Sequence, residues 1–154
     1  MLARARERLG EGAAEAIQGD IREVAIGEAR FDIVVATAVL HHLRTDQEWR
    51  AVFAKVHRSL RPGGSFWIAD LVEHSTAAVQ RLMWDRYGEY LKGLKGEAYR
   101  DHVFEYVTHE DTPKPLAYQL DLLRETGFGA VEVLHKNGCF AAFGAVRTGP
   151  AAPG

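Results

Sequence analysis

Phe31-Asp32-Ile33-Val34-Val35-Ala36-Thr37-Ala38-Val39-Leu40-His41-His42-Leu43 opens with a run in which Asp32 is the single polar residue before Thr37. A nearly continuous apolar, β-branched run of this length predicts a strand buried on both faces, as in a parallel sheet covered by helices. Downstream, Thr45-Asp46-Gln47-Glu48 fits a capping box, in which a hydroxyl and a carboxylate satisfy orphan amides at a helix start. Trp49, Val52, Phe53, Val56 and Leu60 then recur at helical spacing and give one buried face. Arg61-Pro62-Gly63-Gly64 stops that helix, and Ser65-Phe66-Trp67-Ile68-Ala69-Asp70-Leu71-Val72 predicts a second buried strand. Residues 31–72 therefore read as a right-handed strand–helix–strand unit with parallel strands.

Working outward toward the N-terminus, residues 2–9 read as a short helix and residues 14–21 as a short strand ending in Gly19-Asp20-Ile21. Toward the C-terminus, residues 75–92 and 97–107 carry aromatic residues at helical spacing, among them Trp84, Tyr87, Tyr90, Tyr99 and Tyr106. Asp111-Thr112-Pro113 is expected to cap a further helix ended by Gly127. Strands at 130–136 and 139–147 are joined by Asn137-Gly138, a strong hairpin signal in which both turn positions would take positive φ. Alternation of strands and helices implies an α/β fold with a mostly parallel sheet and a C-terminal antiparallel hairpin. One domain is expected over 1–147, with 75–110 as a helical cover segment and 148–154 as a disordered tail.

Composition narrows the function classes. A net charge of −2 over 154 residues gives no strong pull toward nucleic acid or anionic membrane. No apolar run approaches the roughly 18 residues of a membrane span. The single cysteine, Cys139, allows no internal disulfide, which fits a reduced compartment, so a cytoplasmic location is expected. It has no basic neighbour in sequence and reads as a packing residue.

The segment 31–43, an amphipathic helix, and then Leu60-Arg61-Pro62-Gly63-Gly64-Ser65-Phe66 together resemble the class I, Rossmann-like S-adenosylmethionine-dependent methyltransferases. Gly19-Asp20-Ile21 resembles the family's third-strand element, and the terminal hairpin its sixth and seventh strands. The resemblance implies a partial Rossmann-like methyltransferase fold, S-adenosylmethionine as cofactor, and a small molecule or modified nucleoside as methyl acceptor. The family's acidic, glycine-rich first loop has no counterpart, since the chain contains no G-x-G-x-G. The first two strands are therefore expected to be lacking. In the family's sheet order, 3-2-1-4-5-7-6, their loss leaves the strand at 31–36 short of a neighbour. Its exposed edge favours self-association, and cofactor affinity and activity should be impaired. A non-catalytic methyltransferase-like fragment or interaction module is the alternative. A nicotinamide oxidoreductase is disfavoured for want of fingerprint glycines.

By resemblance, Gly19, Asp20 and Ile21 contact the adenine, although Asp20 also reads as a turn aspartate. Ala36, Thr37 and Ala38 lie at the carboxyl end of a strand, where open α/β sheets bind ligands, and by resemblance touch the cofactor's methionine portion. Of His41 and His42, the resemblance places one at the cofactor pocket and lets the other order the loop. Either is a candidate proton acceptor, but methyl transfer from a sulfonium depends chiefly on alignment. Adjacent histidines are expected to point apart, and no third ligand stands at a recognisable spacing, so no metal is expected. Asp70 ends the second buried strand on the ligand side and either orients substrate or caps the loop that follows it. Trp84 and Tyr87 are candidate substrate contacts, although an aromatic helix stripe is more commonly core or a dimer contact.

Overall fold

A computed structural model describes residues 15–149. The expected helix at 2–9 and most of the tail lie outside those residues. A sheet is built from β1 (Phe31–Thr37), β2 (Leu60–Leu71), β3 (Ala130–Asn137) and β4 (Phe140–Val146), in the order β1-β2-β4-β3. The helices are α1 (Asp46–Ser59), α2 (Ala77–Lys95), α3 (Glu97–Glu110) and α4 (Leu116–Glu125), with a 3-10 turn at Leu40–His42.

The strand–helix–strand unit forms, but β2 already begins at Leu60, so Arg61-Pro62-Gly63-Gly64, expected to turn the chain, belong to the strand. β1 and β2 are parallel neighbours, with Val34 opposite Phe66 and Thr37 opposite Ala69. The Thr45 hydroxyl accepts from the Glu48 amide and Glu48 answers to the Thr45 amide, so the capping box closes. Trp49, Val52, Phe53 and Val56 bury one stripe of α1 against Phe66, Ile68 and Phe143. Leu122, Leu123 and Phe128 complete this core from the α4 side.

Several expectations are corrected. The sheet is mixed rather than mostly parallel: β1–β2 is parallel, whereas β2–β4 and β3–β4 are antiparallel. The described part of 14–21 is not a strand but an irregular segment entering a turn at residues 21–23. β1 is not buried on both faces. Val34 and Ala36 point into the core, whereas Ile33 and Val35 stay 62% and 64% exposed, because the described helices with core contacts pack on a single face. Among the described residues β1 pairs with β2 alone and forms a sheet edge.

Helix boundaries and the hairpin turn also shift. α2 starts at Ala77 with Thr76 as its cap, and α4 starts at Leu116, after Pro115. Residues 111–114 are not helical, because Asp111 and Thr112 bind the loop after β1 instead of capping α4. The hairpin turn is centred on Gly138 and Cys139, with Asn137 paired to Phe140 as the last strand residue. Only Gly138 takes a positive φ, +55°, so the turn has glycine at its first central position. Close packing of β2 on β4 depends on Gly144, where a Cβ would run into the Phe66 carbonyl and Trp67.

Candidate functional site

The carboxyl ends of β1 and β2 lie side by side, and the chain leaving β1 is held there by β2. Ala38, at φ +51°, turns the chain out of the strand, and its amide donates to the Ala69 carbonyl at 2.9 Å. Such a φ is uncommon outside glycine and persists where surrounding bonds impose it. Asp70 imposes it. One carboxylate oxygen accepts from the Val39 and Leu40 amides, at 3.2 and 2.8 Å. The other accepts from the Leu71 amide at 2.7 Å and from His41 Nδ1 in a short hydrogen bond. The Asp70 side chain is 1% exposed. The sequence offered Asp70 as a substrate contact or as a cap for the loop that follows it; its carboxylate here holds the loop after β1, which precedes β2.

His41 lies between two carboxylates. Nδ1 faces Asp70, and Nε2 lies 3.7 Å from Asp111 Oδ1. Burial alone would lower the pKa of this imidazole. The Asp70 hydrogen bond, with the charges of Asp70 and Asp111, outweighs burial and raises the value above the usual 6.5. His42 does not point away from its neighbour: the two rings meet edge to face with centroids 4.3 Å apart. His42 Nδ1 lies 3.1 Å from the same Asp111 oxygen, which is buried and accepts no well-aligned hydrogen bond. Thr112 ties the arrangement down, its amide donating to the His41 carbonyl at 2.7 Å and its hydroxyl to the Leu43 carbonyl at 2.6 Å. Asp111 and Thr112 were missed as site residues because nothing local in their sequence marks them. The chain brings them back only after two long helices.

Gly19, Asp20 and Ile21 lead into a turn that is tied to α1. Lys55 donates to the carbonyls of Ile21, Arg22 and Val24. Arg22 caps the Asp20 carboxylate through its own amide and a forked guanidinium, and reaches Glu48 at 2.8 Å. These Arg22 hydrogen bonds hold the Asp20 carboxyl down at about 2. Four bonds from Arg22 engage the acceptor sites of the carboxylate. The group acts as a turn aspartate here, and an adenine amine would have to displace Arg22. By contrast, Thr37 and Ala38 are exposed at the strand end, which suits a ligand lying along the backbone.

The aromatic helices divide the substrate candidates. Trp84 stacks on Phe104, with centroids 4.7 Å apart and planes 16° apart, so it joins α2 to α3. Tyr87 meets Phe140 edge-on at 5.3 Å. It lines a cleft of about 570 Å³ with Met83, Arg86, Tyr90 and Cys139, a size typical of small-molecule sites. Phe140 pairs with Leu71, so the cleft opens at the same sheet end as Asp70. Cys139 is fully buried, which raises its thiol pKa and agrees with its packing role.

Residues 1–68 match the model of a family described as a methyltransferase domain. Over 66 residues the chain is 33% identical to an uncharacterized methyltransferase of Synechocystis, covering 43% of this chain and 31% of that protein. An O-methyltransferase family protein from Burkholderia thailandensis superposes with a TM-score of 0.67 at 16% identity, covering 96% of this chain and 41% of that one. A 1,6-didemethyltoxoflavin-N1-methyltransferase from the same species, solved with bound 1,6-didemethyltoxoflavin and S-adenosylhomocysteine, gives 0.58 at 20% identity over 96% and 56% of the two chains. Residues 1–68 are thus similar in sequence to a methyltransferase domain, and nearly all of the chain shares its fold with solved methyltransferases. The chain spans under a third of the curated relative and about two-fifths of the first of these structures.

Proposed function

We propose that this chain supplies the carboxyl-end ledge of an S-adenosylmethionine-dependent methyltransferase acting on a small molecule or modified nucleoside. The observation that carries this reading is the loop after β1, turned outward at Ala38 and clamped by Asp70 on the neighbouring parallel strand. Ala36, Thr37 and Ala38 stand where open α/β sheets bind ligands. The cofactor would supply an electrophilic methyl group. The chain's task is to fix the relative position of cofactor and acceptor, which is where most of the rate advantage of such a transfer arises.

In this reading His41 is a brace. Both ring nitrogens face carboxylates, so the ring offers no free lone pair toward an acceptor. The acceptor occupies the cleft under Tyr87 and Tyr90, about 10 Å along the sheet edge from β1 at roughly 4.8 Å per strand. With no G-x-G-x-G in the chain, cofactor affinity is expected to be weak. We also assign self-association to the edge of β1 that pairs with no strand among the described residues, since unpaired backbone groups there favour strand pairing. Loss of concentration-dependent sedimentation on Val35→Pro would support that assignment, and unchanged sedimentation would refute it.

Titration with S-adenosylhomocysteine, followed by amide NMR, tests the main reading. Shifts confined to residues 36–42 and their β2 neighbours, saturating in the millimolar range or below, are expected. No shift at millimolar ligand would favour a non-catalytic methyltransferase-like module.

A further inference from the structure

We propose that His41, His42 and Asp111 form a binding site for one divalent transition-metal ion of the zinc type. The ligating atoms, His41 Nε2, His42 Nδ1 and Asp111 Oδ1, all lie within 4.8 Å of one another. Two of the separations, 3.7 and 3.1 Å to the shared oxygen, bracket the roughly 3.3 Å edge of a tetrahedron with metal–ligand distances of about 2.0–2.1 Å. Two imidazoles and a carboxylate are a donor set suited to zinc and its neighbours in the first transition row.

Two independent features point to a cation here. The Asp111 side chain is 4% exposed, and its Oδ1 accepts no hydrogen bond despite the closeness of both rings. A buried carboxylate oxygen without a donor is costly unless something positive fills the space. Second, His41 Nδ1 donates to Asp70, so Nε2, which faces Asp111, is the nitrogen left to take a metal ion in place of a proton. A carboxylate behind a histidine is the usual outer support of a metal-bound imidazole. His42 is 48% exposed, so the fourth position opens to solvent and would hold water.

The site would join two parts of the fold that are distant in sequence. His41 and His42 belong to the loop after β1, and Asp111 to the connection leaving α3. A bound ion would therefore lock the end of the α2–α3 pair to the ledge beside β1, reinforcing the Thr112 hydrogen bonds. This inference does not depend on the methyltransferase reading, because the site needs neither cofactor nor acceptor.

Calorimetric titration of Zn²⁺ into metal-stripped chain without an affinity tag tests it, together with the visible spectrum after Co²⁺ loading. One ion per chain, a dissociation constant of about 1 µM or tighter and the intense d–d bands of four-coordinate Co²⁺ are expected. His42→Ala removes a half-exposed ring and should leave metal-free thermal unfolding unchanged while weakening Zn²⁺ binding by at least about 30-fold, and Asp111→Asn should weaken it comparably. Failure of the folded wild-type chain to take up Zn²⁺, or equal binding by His42→Ala, would overturn the proposal.

Discussion

His41 and Asp70 stand 29 positions apart in the chain, yet their side chains share a short hydrogen bond inside the protein. The contact closes the loop after β1 onto the end of β2, and the Val39 and Leu40 amides converge on the same carboxylate. Removing Asp70 strands the His41 ring and two amides in a buried site. Asp70→Ala is therefore expected to lower folding stability by about 3–5 kcal/mol, the usual range for breaking one partner out of a buried pair. Asp70→Asn keeps an acceptor for the amides and should lose less. Urea unfolding of both variants measures this. An unaltered midpoint for Asp70→Ala would return Asp70 to a substrate-facing role.

The two faces of the sheet make a second contrast. Phe53 is fully buried and packs edge-on against Phe66 at 5.6 Å. Phe53→Ala should cost about 3–5 kcal/mol, through lost transfer energy and the cavity left behind. Val35, on the opposite face, is 64% exposed, so Val35→Thr should change stability by no more than about 0.5 kcal/mol. A large loss for Val35→Thr in urea would mean that the outer face of β1 is covered in solution.

Arg22 decides whether Asp20 can serve a ligand. The guanidinium bonds both Asp20 oxygens and also Glu48, on α1. Arg22→Gln removes the fork and frees the carboxylate. If Asp20 contacts the adenine amine, S-adenosylhomocysteine affinity should rise several-fold, and Asp20→Asn should cancel the gain. Equal affinity in all three proteins, measured by the same NMR titration, would confine Asp20 to its turn.

How much of this was legible in the sequence depends on how local each signal is. Thr45 and Glu48 lie within one helical turn, so their reciprocal cap could be read directly, and the stripe from Trp49 to Val56 followed from spacing alone. Asn137-Gly138 located the hairpin but misplaced its turn by one residue, because cross-strand register between Asn137 and Phe140, not the dipeptide, sets which residues turn. The apolar run at Ile33 and Val35 said that a strand forms there but not what covers it, since covering elements come from elsewhere in the chain. His41 and His42 were visible as candidates. Their partner Asp111 was not, because the α2–α3 excursion separates them by about 70 residues and aspartate before a threonine and proline reads locally as a helix cap.

His57 gives the protein a pH dependence of defined sign. The ring packs edge-on against Phe128 with centroids 4.9 Å apart. Burial lowers its pKa below 6.5, with the Arg147 charge and then that of Arg58 adding to the effect, partly opposed by a Gly127 backbone hydrogen bond. The unfolded chain consequently holds more protons than the folded one between the lowered value and 6.5, and stability rises with pH across that interval. The contribution is present above pH 6.5 and is lost as pH falls through the folded value. His41 has the opposite sign and a different window: its raised pKa makes stability fall as pH rises above 6.5. Asp20, Asp46, Glu48 and Glu97, whose values are lowered, act only below about 4.5. The interval from about pH 5 to 6.5 therefore isolates His57 among these groups. Urea midpoints measured in EDTA should climb from pH 5 to 6.5 for the wild type and climb less for His57→Gln. Parallel curves for the two proteins would show that His57 titrates as freely in the fold as in the unfolded chain.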